Sequence, residues 1–383
     1  MTSGRSFWFG QVRILGFFEQ SPVSGAKYGL KDPHFLIEEQ VYSRYCTVKT
    51  LKIVSRIVLL LALLAVGIGI MYEQVGRFRA RRTFPLTGRL VRVGDHQLHC
   101  TATGSRGPVV VFESGLDSGG SLPWERVVSQ VAPFAITVTY DRAGIQRSER
   151  GTQPKTGAAM ALDLHELLHH AGYPPPYLLV GHSLAGLLIR SFVAKYPTEV
   201  GGIVLVDTSH PDQLKRLPDQ VKEDGPPPRW VVRLATEVGL VRFTSQSLYE
   251  GTRPNDRINL VNQAFLPTSV DAVEEELEQV PALLDEARKV TSFGDIPLRV
   301  VTGTSPTRGK EVVDVAVRKE INRIWGELQK DQLRLSTRSA QLLATKSEHY
   351  VQLTQPEIVT AAIKQLLDQS ATTGRVPAVA AIR

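Results

Sequence analysis

A chain of 383 residues with 42% hydrophobic and 22% charged content has enough apolar material for a large core, which excludes wholesale disorder. The formal net charge is +7, and the densest basic cluster, Arg77, Arg79, Arg81 and Arg82, directly follows the most apolar stretch, where it suits lipid headgroups. No basic stretch interleaved with aromatics follows it, so nucleic acid is not an expected partner.

Residues 1–50 show no clear period, and no role is assigned to them. Ile57 to Tyr72 is a run of 16 residues without a charge. A bilayer core of roughly 30 Å needs about 20 residues of helix. Extending back to Leu51, with Lys52 and Arg56 reaching to the interface, makes the span usable. The sequence therefore predicts a single-pass membrane anchor over 51–76, in contact with lipid, and a basic linker over 77–87. Basic residues on the two sides are nearly balanced, so no orientation follows. Cys46 and Cys100 flank the run on opposite sides and lack the spacing of a metal site.

From Gly88 the pattern changes. Two short alternating runs meet at Gly94-Asp95, a hairpin signal. PVVVFESG, AITVTYDRAG, YLLVGHS, GGIVLVDTS, PLRVVTGT and AQLLATKSEH then follow as strands. Helical stretches separate them, notably 157–171, SLAGLLIRSFVAKY and the final EIVTAAIKQLLDQ. Apolar strands alternating with amphipathic helices predict an α/β fold, a mostly parallel sheet covered by helices on both faces. The domain is expected to run from 88 to 370, with a helical cap at about 210–290 and a tail at 371–383.

Gly181-His182-Ser183-Leu184-Ala185-Gly186 follows a buried strand and opens a helix. A serine on so sharp a turn needs small neighbours two before and two after it, and Gly181 and Ala185 supply them. Ser183 is the expected nucleophile. With the segments FESGL, YDRAG, YLLVGHSLAG, GIVLVDTSHPD and EHYVQLTQPEIV in this order, the chain from about 88 to 368 resembles the α/β-hydrolase family. Its small bacterial esterase-like branch is the most similar. The resemblance implies a serine hydrolase that cleaves an ester or similar acyl bond of a small molecule without metal or cofactor. A serine at the elbow argues against the aspartate-dependent epoxide hydrolases and dehalogenases of the same fold.

His349, after the last strand and before the final helix, matches the family's position for the general base. The acid is expected at Asp207, at the end of Leu205-Val206, with Asp212 and Asp314 as alternatives. The oxyanion hole is expected from the backbone N–H groups of Leu184 and, by resemblance, Leu116. Asp141 and Arg142 resemble a structural loop of the family rather than catalytic groups.

Two other readings compete. A membrane-anchored binding protein could keep the fold without the activity. His165-Glu166-Leu167-Leu168-His169 matches HExxH, the zinc-peptidase spacing that puts two histidines on one helix face, but no third ligand is identifiable from the sequence. Nothing in the sequence indicates an oligomeric state.

Overall fold

The computed structural model describes residues 33–85, 87–218, 227–245, 247–310, 312–373 and 379–380. The chain divides into two units, Met1–Leu63 and Leu64–Arg383. As far as it is described, the first is the opening part of one helix, α1, which runs from Pro33 to Thr83 and continues into the second. Residues 51–76, read as the anchor, and 77–83 of the expected linker lie in this one helix. The reason is local. Proline suits a helix's first position, and no proline recurs until Pro85, so nothing breaks the helix in between. Side chains from 41 to 68 are exposed, and Val41–Thr83 is long and apolar enough to cross a membrane.

The second unit is built on eight strands among the described residues: β1 (Arg89–Val93), β2 (His96–Thr103), β3 (Val109–Glu113), β4 (Ile136–Tyr140), β5 (Tyr177–His182), β6 (Val200–Val206), β7 (Leu298–Gly303) and β8 (Ser339–Ala344). Their order in the sheet is β1-β2-β4-β3-β5-β6-β7-β8. β1 and β2 form the expected hairpin, with Val93 opposite His96, and β2 runs antiparallel to β4. Every later pairing is parallel. Outside this sheet, Val379 and Ala380 pair with Gly107 and Arg106.

Successive strand residues point to opposite faces, and both faces are covered. Val109, Val111, Leu179, Ile203 and Leu205 pack under α3 (Gly157–His170) and α4 (Ala185–Lys195). Val110, Phe112, Leu178, Val180, Val204 and Val206 pack under α2 (Glu125–Val131) and the final helix. This double burial is why these strands read as unbroken apolar runs. Phe112 is fully buried against Trp124, with ring centroids 5.1 Å apart, so Phe112→Ala should cost about 3–5 kcal/mol.

Between β6 and β7 the chain leaves the sheet and forms α5 (Arg229–Glu237), α6 (Leu240–Thr244) and α7 (Arg257–Arg288). Residues 219–226 of the expected cap lie outside the described residues. The end of α1 packs on these helices. Glu73 is buried and takes bonds from Arg242 on α6 at 2.7 and 3.1 Å and from Arg77 at 2.9 Å. After β7 comes α8 (Val315–Asp331), and after β8 a single helical turn at Val351–Thr354 and then α9 (Pro356–Thr373).

Candidate functional site

Ser183 sits where β5 turns into α4. Its φ is 54°, left-handed backbone that a residue with a side chain adopts at a cost. The turn closes because its neighbours are small. A Cβ on Gly181 would lie 2.5 Å from Ile189 Cδ1 and 2.9 Å from Ala185 Cβ. The Ser183 N–H donates to Val206 O at 3.3 Å, and the Ser209 N–H donates to Ser183 O at 2.8 Å, which ties the turn to the end of β6. In the β5–β6 register His182 faces Val206, so Ser183 and Asp207 leave adjacent strands at the same level.

Asp207 also has a positive φ, 46°, and its side chain is fully buried. The sequence-predicted pair is brought together there: Asp207 Oδ2 is 2.7 Å from His349 Nδ1. This uses one ring nitrogen and leaves Nε2 for another partner. Asp207 Oδ1 accepts from the Gly303 N–H at 3.1 Å and from Trp325 Nε1–H at 3.0 Å, and the Arg308 guanidinium lies 2.9 Å from Oδ2. Burial pushes the carboxyl's pKa up, but Arg308, His349 and Trp325 outweigh it and hold it below the usual carboxylate range.

Among the described residues the Ser183 hydroxyl and the His349 ring are not hydrogen-bonded to each other; such bonds often tighten only when substrate binds. The His182 ring is 4.5 Å from the His349 ring, and its Nε2 is 3.0 Å from His349 O. Burial and the adjacent His349 hold His182 well below its ordinary pKa, so it stays neutral and supports the His349 loop.

The alternative acids are elsewhere engaged. Asp212 is 2.8 Å from Arg288 Nε. Asp314 caps α8, accepting from the Ala316 and Val317 N–H groups at 2.8 and 3.1 Å.

The loop after β3 faces the turn. A Cβ on Gly115 would lie 2.9 Å from Ser183 Cβ, so only glycine allows this approach. Leu116 and Leu184 both flank this contact, and among the described residues neither N–H donates to a backbone carbonyl. Arg142 fixes the loop: it donates to Ser114 O and Gly115 O at 2.6 Å each, to Glu113 at 2.7 Å and to Glu276 of α7 at 2.6 and 2.9 Å. Burial opposes its charge, but Glu276 and Glu113 raise its pKa well above the ordinary value. Asp117, one residue on, accepts from Tyr249 at 2.8 Å and Tyr350 at 3.2 Å, linking this loop to the cap and to the His349 loop. Burial pushes its carboxyl up.

A sequence profile of the α/β-hydrolase fold matches residues 107–227, which hold β3 to β6 and the Ser183 turn. The chain has the α/β-hydrolase fold. It is 25% identical over 288 residues to an AB hydrolase superfamily protein of Gibberella zeae, covering 68% of this chain and 86% of that one. It is 27% identical over 310 residues to a protein of Hormonema carpetanum named a probable transporter, 73% of this chain but 42% of that protein's length. The solved structure of the epoxide hydrolase CorEH superposes with a TM-score of 0.55 at 19% identity, over 74% of this chain and 99% of that one.

In this fold a cavity of about 330 Å³ opens beside the loop, lined by Leu116, Val232, Leu248, Leu266, Val270 and Tyr350 among others. Sequence reasoning missed Arg308, Trp325 and Asp117, and it left Arg142 as loop structure without seeing Glu276. The only signal was general: a carboxylate at the end of an all-apolar strand, such as Glu113, must find a partner. The HExxH glutamate does not join its histidines, because Glu166 accepts from the Gly94 N–H at 2.8 Å.

Proposed function

We propose that this α/β-hydrolase is a membrane-anchored serine hydrolase that cleaves an ester or similar acyl bond. The observation that carries the reading is the 2.7 Å bond between His349 Nδ1 and Asp207 Oδ2, at the strand end beside Ser183. Asp207 holds the ring so that Nε2 can take the Ser183 proton as the hydroxyl attacks the carbonyl. The Leu116 and Leu184 N–H groups stabilise the oxyanion, His349 returns the proton to the leaving alcohol, and water then hydrolyses the acyl-enzyme by the same path. A serine, not an aspartate, occupies the elbow, which favours acyl transfer over epoxide or haloalkane chemistry.

The apolar cavity suits the acyl part of the substrate. Trp230, Leu234 and Phe243 are exposed on α5 and α6, the helices that meet the end of α1. Exposed apolar side chains of this size suit contact with lipid, and an acyl chain drawn from lipid is the favoured substrate.

A fluorophosphonate probe, which requires an activated serine, should label the full chain in detergent. Ser183→Ala should abolish labelling and lower ester hydrolysis by about 10⁴-fold or more. A folded wild type that takes no label, or a variant that keeps it, would sink the proposal.

A further inference from the structure

We propose that His165, His169 and Glu199 form a binding site for one late first-row divalent cation, such as Zn²⁺, distinct from the Ser183 site. The two histidines stand one turn apart on α3. The third group comes from the turn before β6, which no local motif in the sequence announces. Glu199 is 3.1 Å from His165 Nδ1 and 3.4 Å from His169 Nε2, and one ligand atom from each residue lies within 4.8 Å of the others. Ligands at about 2.0–2.1 Å from a tetrahedral ion lie roughly 3.4 Å from one another, so these spacings need little adjustment.

The site is also held in place. The His165 ring stacks on Tyr196 with centroids 4.0 Å apart and planes 3° from parallel. The two imidazole rings are 4.3 Å apart. The Glu199 side chain is only 14% exposed, whereas His169 is 45% exposed, so the open side of the cluster can admit an ion and a water as fourth ligand. Among the described residues no lysine or arginine pairs with Glu199. Its charge faces two imidazoles, which are neutral when they act as ligands. Two nitrogens and one carboxylate oxygen suit Zn²⁺, Ni²⁺, Cu²⁺ or Co²⁺; Ca²⁺ and Mg²⁺ prefer oxygen ligands.

The ion would not serve the acyl chemistry. Glu199 precedes Val200, which pairs with Tyr177 at the start of β5, while Ser183 follows the far end of that strand. Six residues of strand separate the two by about 20 Å. The expected role is to clamp α3 to the turn before β6, so that binding stabilises the fold.

The test uses the full chain, purified in detergent through a tag without histidine. Zn²⁺ uptake is measured by competition with a chromophoric chelator, and Co²⁺ absorption reports the coordination geometry. Wild type should bind one Zn²⁺ per chain and unfold at a higher temperature with Zn²⁺ than with EDTA. Glu199→Gln should weaken binding by about 10-fold or more, a loss seen even for residues that only support a ligand. His169→Gln, the more exposed change, should abolish tetrahedral Co²⁺ absorption while unfolding like wild type in EDTA. His170→Gln is the control, since His170 bonds to Arg92 O at 2.7 Å. Equal uptake by wild type and His169→Gln, no uptake by wild type, or an unchanged affinity in Glu199→Gln would each overturn the assignment.

Discussion

The Arg308 guanidinium lies 2.9 Å from Oδ2 of Asp207, the same oxygen that holds the His349 ring. The buried carboxylate is therefore kept ionised by a permanent cation and not by the histidine alone. Arg308→Gln removes that cation, so the Asp207 pKa should rise. The sign follows from its present depression. A carboxyl held below its usual 3.8 adds stability above that pH, and this is lost as pH falls through the lowered folded value. The variant should lose activity at a higher pH on the acid side and be less stable at neutral pH by about 1–3 kcal/mol. An unchanged acid limb in the kcat/KM profile would show that Arg308 does not set the ionisation of Asp207.

Asp207→Asn keeps the shape but not the charge. With Ser183 and His349 in their proposed roles, it should lower ester hydrolysis by at least about 10²-fold. Asp212→Asn and Asp314→Asn should lose far less, since one pairs with Arg288 and the other caps α8. Activity must be compared on protein shown to be folded by circular dichroism. A nearly active Asp207→Asn beside a dead Asp314→Asn would move the acid.

Arg142→Met leaves Glu113 buried without its cation and Glu276 with the more distant Lys155, at 3.7 Å. Breaking such a cluster on one side typically costs about 3–5 kcal/mol, and urea unfolding should show it. The fraction that folds should have a lower kcat, because Ser114 O and Gly115 O lose the donor that sets the loop. Wild-type stability in this variant would mean that the two carboxylates are protonated or solvated.

Truncation separates the span from the fold. A cut after 63 keeps Glu73, whereas a cut after 76 removes it and leaves Arg242, among the described residues, with Gln263 at 3.2 Å. The 77–383 fragment should label with the probe but unfold at a lower temperature than 64–383, by the equivalent of about 1–3 kcal/mol. Equal midpoints would show that the α1–α6 contact holds nothing together.

Much of this site could be read from the sequence because its causes are local. Gly181 and Ala185 announce the sharp turn, the apolar runs announce buried strands, and His349 is marked by its place between the last strand and the last helix. Arg308 and Trp325 meet Asp207 from a loop and from α8, and nothing near Asp207 in the sequence names them. Glu276 belongs to a run of acids that reads as a solvated helix face, yet it is fully buried because Arg142 reaches it. Glu199 escaped notice for the same reason. The HExxH spacing draws attention to Glu166, while tertiary structure supplies a different carboxylate.

Ser183 and Asp207 share their left-handed backbone with only one other non-glycine residue among those described, Gln146. Each such residue typically costs about 1–3 kcal/mol. Two of them at the ends of neighbouring strands are a standing load on the β5–β6 pair, carried by the strands on either side. Glycine would relieve it at both positions. A lineage of this chain drifting under selection for stability alone would therefore tend to lose its hydroxyl and its carboxylate first, and the presence of both in this chain is a cost that folding by itself does not explain.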